Sequence, residues 1–114
     1  MALTGIALDD WRAQGRTFGF KGQPIAYWTA GASDAEPLLL IHGFPTAAWD
    51  WHFLWQPLAE RYRLIACDML GFGDSAKPRG HAYSLLEQAD LQQALLEHLH
   101  IQQPLHLLAH DYGA

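Results

Sequence analysis

The last segment of the chain, residues 104–114, constrains the fold more than any other because it sets an acidic residue among small residues after a short apolar run. The run at 105–109 is too short for a helix, and Asp111 follows it, flanked by the small residues Ala109 and Gly113. This pattern is typical of a nucleophile elbow, a sharp turn from a strand into a helix that holds its central side chain clear of the sheet. An Asp that follows a strand and precedes a Gly is also common as a turn residue or a helix N-cap. The interpretation of Asp111 therefore depends on the upstream segments.

Upstream of this segment, strand-like and helix-like patterns alternate. Two β-prone aromatic runs, 16–20 and 24–30, predict an antiparallel hairpin, and continuous apolar runs at 38–41 and 63–68 predict strands buried on both faces. Ser84 and Glu87 have the spacing of a capping box, which opens a helix extending to about residue 100. With a last strand at 105–109, this order predicts an α/β fold. We expect an antiparallel hairpin followed by parallel strands, with right-handed crossover helices covering both faces of the sheet.

The chain divides into a leader and one core domain. Residues 1–15 have no clear period and are predicted to be a leader that docks weakly or carries a turn of helix, whereas residues 16–114 form an incomplete core domain. Within the core, Trp49, Phe53 and Leu54 recur at helical spacing until Pro57 kinks or restarts the helix. We expect the tryptophans of this stretch to pack the helix against the sheet.

Composition excludes several classes of partner. The net charge of −5, with His counted as neutral, offers no basic surface for nucleic acid or an anionic membrane. No run approaches the roughly 18 apolar residues of a transmembrane helix, and the start lacks the pattern of an export signal. We therefore expect a soluble, cytoplasmic protein with no nucleic-acid or membrane partner. The single cysteine, Cys67, lies in an apolar strand and is expected to be an inert buried thiol.

Two other groups of residues match motifs of a different chemistry, but both matches are weak. Residues 71–76 match the dinucleotide fingerprint G-x-G-x-x-A, but Pro78 blocks the helix that would bind a pyrophosphate, so we expect a tight loop anchored by Asp68. His98 and His100 end a helix, and His106 and His110 share a strand, but no Cys or acidic cluster completes a metal site. We predict neither a metal nor a cofactor.

Three segments, each directly after a predicted buried strand, carry a family resemblance. They are His42-Gly43-Phe44-Pro45, Asp68-Met69-Leu70-Gly71-Phe72-Gly73-Asp74-Ser75 and His110-Asp111-Tyr112-Gly113. In this order they resemble the α/β-hydrolase fold, and within it the branch with an aspartate nucleophile, which includes epoxide hydrolases, haloalkane dehalogenases and the mesoderm-specific transcript group. The resemblance covers residues 18–114, nearly the whole chain.

The resemblance implies a role for each site residue. Asp111 would be the nucleophile, and the backbone N–H groups of Phe44 and Tyr112 would form an oxyanion hole. A carboxylate is ionised at pH 7 and attacks an sp³ carbon that bears a leaving group, giving an alkyl-enzyme ester that an activated water then hydrolyses.

The neighbouring residues have supporting roles in this interpretation. Gly43 would let the loop approach closely, Gly113 would be the small residue that the elbow requires, and His42 would brace the loop by hydrogen bonds rather than transfer protons. His110, beside the nucleophile, is expected to give structural support.

The same resemblance predicts that the catalytic machinery is incomplete. In this fold the triad acid and the His base follow the nucleophile along the chain, so both would lie after residue 114. We therefore expect an N-terminal part of a larger hydrolase that is inactive alone and whose partner is the missing C-terminal half.

The expected partner is a small apolar substrate, and its chemical class remains open. Haloalkane dehalogenases usually have Asn and Trp where this chain has Phe44 and Tyr112, which disfavours haloalkanes. Epoxide hydrolases and fluoroacetate dehalogenases share the His-Gly-Phe-Pro type of loop, and epoxide hydrolase-like chemistry is the first choice. A function of a different class also remains open. The chain could be a non-catalytic interaction module or remnant that binds a partner through an exposed sheet edge and an apolar patch.

Overall fold

A computed structural model describes residues 4–114 as a five-stranded mixed sheet with a helix layer on each face. The strands are β1 (Arg16–Phe20), β2 (Gln23–Ala30), β3 (Glu36–Ile41), β4 (Tyr62–Cys67) and β5 (His106–Ala109), and the helices are α1 (Leu8–Ala13), α2 (His52–Ala59) and α3 (Leu85–His98). Two 3₁₀ turns, Ala48–Trp51 and Asp111–Gly113, follow β3 and β5. The first three residues of the predicted leader lie outside the described residues. None of the described helices is long and apolar enough to cross a bilayer.

The sheet has the strand order β1-β2-β4-β3-β5. Strands β1 and β2 form the predicted hairpin, whose turn residues Lys21 and Gly22 both have positive φ angles of 50° and 77°, as a two-residue hairpin turn requires. Strand β2 pairs antiparallel with β4, and β4, β3 and β5 are parallel. The fold class is therefore confirmed. The parallel pairing brings the loops after β3, β4 and β5 to one edge of the sheet.

Alternate residues of the central strands face two separate hydrophobic layers. In β3, Leu39 and Ile41 pack towards α3, whereas Leu38 and Leu40 pack towards α1 and α2. This burial on both faces explains why β3 and β4 are continuous apolar runs. The edge strand β5 is less covered, because Leu107 is 60% exposed and Leu108 is 36% exposed.

The predicted leader carries a short helix, and one of its side chains is buried in the core. Helix α1 carries Trp11, which is 1% exposed and stacks on Trp28 at a centroid distance of 5.0 Å. Trp55 of α2 meets the same ring edge-on at 4.9 Å. The weak period of residues 1–15 concealed this contact because one large aromatic ring anchors the helix rather than a stripe of apolar residues.

The buried face of α2 differs from the predicted one. Trp51 and Trp55 are buried, whereas Phe53 is 50% exposed and Leu54 is 38% exposed. The 3₁₀ turn before α2 has three residues per turn, so it changes the phase that a continuous 3.6-residue period would give. The expectation that the tryptophans pack on the sheet is confirmed for Trp51 and Trp55, and Pro57 lies inside α2.

The capping box before α3 is only half formed. Ser84 Oγ accepts a hydrogen bond from the backbone N–H of Glu87 at 3.1 Å, as predicted. The Glu87 carboxylate does not return to Ser84, since it contacts His81 at 2.5 Å and Lys21 at 3.4 Å. Two side-chain partners therefore replace the reciprocal bond, and the contact with His81, followed by that with Lys21, lowers the pKa of Glu87.

Truncation of Trp11 tests whether α1 belongs to the core. We expect Trp11→Ala to reduce the free energy of unfolding by about 3 to 5 kcal/mol, because it empties an aromatic site between Trp28 and Trp55. Leu8→Ala, at a position of the same helix that is 43% exposed, is the matched control and is expected to cost under about 1 kcal/mol. Equal losses in urea denaturation would show that α1 is not part of the core.

Candidate active site

The turn after β5 holds Asp111 in a left-handed backbone conformation. His110 is extended, with φ −140° and ψ 134°, and Asp111 then has a φ of 56°. This region is sparsely populated by residues other than glycine, and such strain is typically found at functional sites. The backbone therefore turns sharply directly after β5, into the 3₁₀ turn Asp111–Gly113.

Two glycines let the loop after β3 meet this turn at backbone contact distance. A Cβ atom on Gly113 would lie 2.5 Å from the carbonyl oxygen of His42 and 2.6 Å from Ile41 Cγ2. A Cβ atom on Gly43 would lie 2.7 Å from Asp111 Cβ and 3.0 Å from the carbonyl oxygen of His110. Since any larger residue would push the two segments apart, both glycines are required by packing.

The close approach brings the Phe44 backbone N–H to the Asp111 carboxylate. Phe44 N donates to Asp111 Oδ2 at 3.1 Å. The hydrogen bond from the Phe44 N–H, followed by the Tyr112 N–H, lowers the pKa of Asp111. Asp111 is therefore held as a carboxylate at neutral pH, with the Phe44 N–H bonded to it.

His42 ties the loop after β3 to the loop after β4. Its Nε2 accepts from the Met69 N–H at 2.9 Å, so its Nδ1 carries the proton and donates to the Gly43 carbonyl at 2.8 Å. Burial lowers the pKa of His42, which is inaccessible to solvent. Both ring nitrogens are thus engaged by the backbone, and the ring is neutral.

Asp68 anchors the same two loops from the other side. Its Oδ1 accepts from the Ala48 N–H and its Oδ2 from the Asp74 N–H, each at 2.8 Å. The Ser75 hydroxyl donates to the Asp68 carbonyl and accepts from the Ala26 N–H of β2. Asp68 is 2% exposed, and burial raises its pKa. These contacts confirm Asp68 as a loop anchor.

Comparison with known proteins identifies the family. Residues 36–114 match the family model described as the alpha/beta hydrolase fold. The chain belongs to the α/β-hydrolase fold family. This confirms the predicted superfamily, and the sheet corresponds to the N-terminal part of that fold.

Three relatives illustrate the breadth of this hydrolase family. The chain is 46% identical to the mesoderm-specific transcript homolog protein of Homo sapiens, over 94% of this chain and 33% of that protein. It is 35% identical to a cis-3-alkyl-4-alkyloxetan-2-one decarboxylase of Xanthomonas campestris, over 81% of this chain and 33% of that protein. Among solved structures, a loop variant of the haloalkane dehalogenase DbeA from Bradyrhizobium elkanii matches with a TM-score of 0.79 and 34% identity, over 87% of this chain and 32% of that one. The chain thus spans about a third of the length of the curated relatives it matches.

Phe72 lies beside the turn at Asp111, although the sequence analysis assigned it no role. Its ring centroid lies 5.3 Å from that of His42, 5.9 Å from that of Phe44 and 6.1 Å from that of Tyr112. The sequence feature that could have identified Phe72 is its position between two glycines in the loop directly after β4. Phe44, Phe72 and Tyr112, together with Leu70 and Tyr83, line an open cavity of about 340 Å³ beside this turn.

The remaining predicted residues lie away from Asp111. Cys67 is buried, and burial raises its pKa to about 12, which confirms it as an inert thiol. His98 stacks on Phe18, and His106 pairs with Glu36 at 2.7 Å.

Within residues 4–114, no group of three metal-ligating side chains comes together. The glycine-rich loop after β4 is not followed by a helix until Leu85, so the dinucleotide interpretation is excluded.

Enlargement of Gly43 tests the contact between the two loops. We expect Gly43→Ala to displace the loop, weaken the bond from Phe44 N–H to Asp111 and raise the pKa of Asp111 towards its ordinary value. The carboxyl pKa can be followed by ¹³C NMR titration. Gly19→Ala is the matched control, because a Cβ there meets nothing within 4 Å. An unchanged pKa in Gly43→Ala would contradict the close approach.

The buried His42 predicts a pH dependence of stability. Its folded-state pKa lies below the ordinary value of 6.5, so the unfolded chain binds the extra proton first as the pH falls below 6.5. Stability should therefore fall from pH 6.5 down to the folded-state pKa and level off below it. His42→Gln keeps a donor and an acceptor but cannot titrate. Its free energy of unfolding should therefore lack the part of the pH dependence that His42 contributes. Parallel slopes for both proteins in urea melts between pH 5 and 8 would disprove the assignment.

Proposed function

We propose that this chain supplies the nucleophile and the oxyanion-binding groups of an epoxide hydrolase-like enzyme. The observation that carries the proposal is the hydrogen bond from Phe44 N–H to Asp111 Oδ2 at the strained turn. An Asp nucleophile uses one oxygen to attack, and the other becomes the carbonyl oxygen of the ester. The donor already on Oδ2 is therefore in position for the charge that develops in the second step.

The first proposed step is attack on an sp³ carbon. Asp111 Oδ1 accepts no hydrogen bond from the described residues and keeps its lone pairs available. It forms a C–O bond to an epoxide carbon while the ring C–O bond breaks, and the ring oxygen takes a proton from a general acid. The product is a hydroxyalkyl ester of Asp111.

The second proposed step is hydrolysis of that ester. An activated water attacks the Asp111 carbonyl carbon, and the oxyanion on Oδ2 is held by the N–H groups of Phe44 and Tyr112. The acyl C–O bond then breaks, which releases a diol and restores the carboxylate. His42 cannot be the base because both of its ring nitrogens are bonded to the backbone. We propose that the base, its acid partner and the acid that protonates the ring oxygen come from outside this chain, so the chain alone does not turn over.

The cavity beside the elbow supports a small apolar substrate. Its lining combines Phe44, Phe72 and Tyr112 with Leu70, and the Gln88 amide is occupied by two hydrogen bonds to the Leu70 backbone. Most of the wall therefore offers a polar substrate arm no hydrogen-bond partner. An apolar substituent on the epoxide is therefore the better fit.

Dehalogenation is the second candidate. The structural similarity to a haloalkane dehalogenase variant favours it, since a halide is also displaced from an sp³ carbon. The side chain of Phe44 has no hydrogen-bond donor for a leaving halide, which places this candidate after the epoxide. A non-catalytic role remains the alternative of another class, supported by the exposed Leu107 and Leu108 of β5.

Isotope labelling of the enzyme purified from its source tests the Asp111 mechanism. In H₂¹⁸O, a single turnover of an aryl epoxide should give a diol without ¹⁸O, because the new oxygen comes from Asp111, and repeated turnover should place ¹⁸O in the Asp111 peptide. Asp111→Asn should abolish diol formation. Asp90→Asn, at an exposed position of α3, should retain it.

Two outcomes of this experiment are decisive. Incorporation of ¹⁸O into the diol in the first turnover would show direct attack by water and refute the ester. The 114-residue chain is a further control, which should hold the ester without releasing diol. Turnover of an alkyl halide in place of the epoxide would select the dehalogenase.

A further inference from the structure

Gln88 is a buried polar residue of α3 that binds the backbone of Leu70 twice. Its side-chain Oε1 accepts from the Leu70 N–H at 3.1 Å, and its Nε2 donates to the Leu70 carbonyl at 2.9 Å. One planar amide thus occupies both backbone groups of a residue, as the facing residue of an antiparallel strand does in a hydrogen-bonded pair. Because Gln88 is only 4% exposed, this contact holds the loop after β4 against the helix.

The backbone that follows Leu70 transmits this constraint to Phe72. The Phe72 N–H donates to the Met69 carbonyl at 2.9 Å, and the Phe72 carbonyl accepts from the Ser75 N–H at 3.0 Å. A single residue separates Leu70 from Phe72, so a shift of Leu70 would carry the Phe72 ring with it. The position of this ring therefore depends on where Gln88 holds the loop.

The Phe72 ring forms part of the wall that the arm of the proposed substrate would meet. Its centroid lies 5.9 Å from that of Phe44 and 6.1 Å from that of Tyr112. Leu70, Phe72 and Gln88 all line the same cavity of about 340 Å³. Displacement of the loop would therefore change the shape of this cavity without removing any of its lining side chains.

Gln92 shows that a buried glutamine on this face of α3 need not hold a loop. It lies one turn after Gln88 and is 7% exposed, yet its Nε2 has no hydrogen-bond partner among residues 4–114. Its Oε1 accepts a long contact of 3.7 Å from the thiol of Cys67, which lies in β4. In the described part of the chain, the two glutamines share residue type, helix and burial, but Gln88 alone of the two binds the loop after β4.

We propose that Gln88 is a positioning residue that favours substrates whose apolar arm reaches Phe72, an inference that rests on the proposed epoxide hydrolysis. Gln88 acts through Leu70 and Phe72 rather than on the reacting atoms. With both hydrogen bonds in place, the arm meets an aromatic wall that is already ordered, so less conformational entropy is lost on binding. An aryl arm also gains the edge or stacking contact that aromatic rings make with one another. An epoxide that carries only a methyl group gains neither contribution.

The ratio of kcat/KM for benzyloxirane to that for methyloxirane separates positioning from stability. Measured on the enzyme purified from its source, this ratio is expected to fall about tenfold in Gln88→Leu, because the released loop no longer holds Phe72 in place. Partial unfolding would lower kcat/KM for both epoxides equally and leave the ratio unchanged. Gln92→Leu is the matched control and should keep the ratio of the unmodified enzyme, since the contact of Gln92 is with β4 rather than with the loop.

Gln88→Glu gives a second readout if the leucine variant does not fold. A protonated carboxyl group can donate to the Leu70 carbonyl and accept from the Leu70 N–H, whereas a carboxylate can only accept. The substrate ratio should therefore match that of the unmodified enzyme at low pH and fall about tenfold as the introduced carboxyl ionises. Burial raises the pKa of a carboxyl group, which brings this change into the pH range of an enzyme assay. The ratio of the unmodified enzyme should stay constant over the same range.

Three results would overturn the role of Gln88. They are an unchanged ratio in Gln88→Leu, an equal fall in Gln92→Leu, and a ratio in Gln88→Glu that does not depend on pH. Failure of the unmodified enzyme to hydrolyse either epoxide would instead refute the proposed function, and binding then tests Gln88 alone. In an NMR titration, the preference for the diol of benzyloxirane over that of methyloxirane should still fall about tenfold in Gln88→Leu and hold in Gln92→Leu. An unchanged preference in Gln88→Leu would contradict the positioning role.

Discussion

The contact between the loop after β3 and the turn after β5 is the constraint on which the site depends. Gly43 and Gly113 lack the Cβ atoms that would clash with the facing segment. Because the backbones then touch, a main-chain donor of one segment reaches a carboxylate of the other. The site is therefore a product of main-chain geometry, and the side chain of Phe44 is free to contribute to the apolar cavity.

Two buried polar residues keep this contact in place. His42 and Asp68 each use both of their side-chain polar atoms on backbone groups of neighbouring loops. Hydrogen bonds to backbone groups position a loop without depending on surface side chains that can rotate. Preorganised donors of this kind are effective in catalysis because they do not have to reorient as charge develops. Neither residue needs to take part in proton transfer to be essential for the geometry.

The sequence predicted those features that depend on local patterns. The apolar runs of β3 and β4, the hairpin turn at Lys21 and Gly22, and the Ser84 cap all depend on residues close in the chain, and all are found. The placement of small residues around Asp111 likewise indicated the tight turn.

The features that the sequence did not predict depend on tertiary contacts or on an irregular turn. Trp11 lies in a segment without hydrophobic periodicity, so its burial was not predicted. Its ring packs against β2 and α2. The phase of α2 was wrong because the 3₁₀ turn before it does not advance by 3.6 residues. Glu87 was assigned to its own helix end, whereas partners from two other segments hold it. None of these partners can be identified from spacing alone.

The strand order has a consequence for when the site can exist. Strand β5 pairs only with β3 among the described strands, so it joins the sheet through β3. Phe44 and Asp111 are 67 residues apart in the chain, and contacts of such long range form late because loop closure must come first. On the ribosome, the N-terminal strands emerge long before the turn that completes the site. A nascent chain would therefore acquire most of its sheet before Phe44 and Asp111 came into contact.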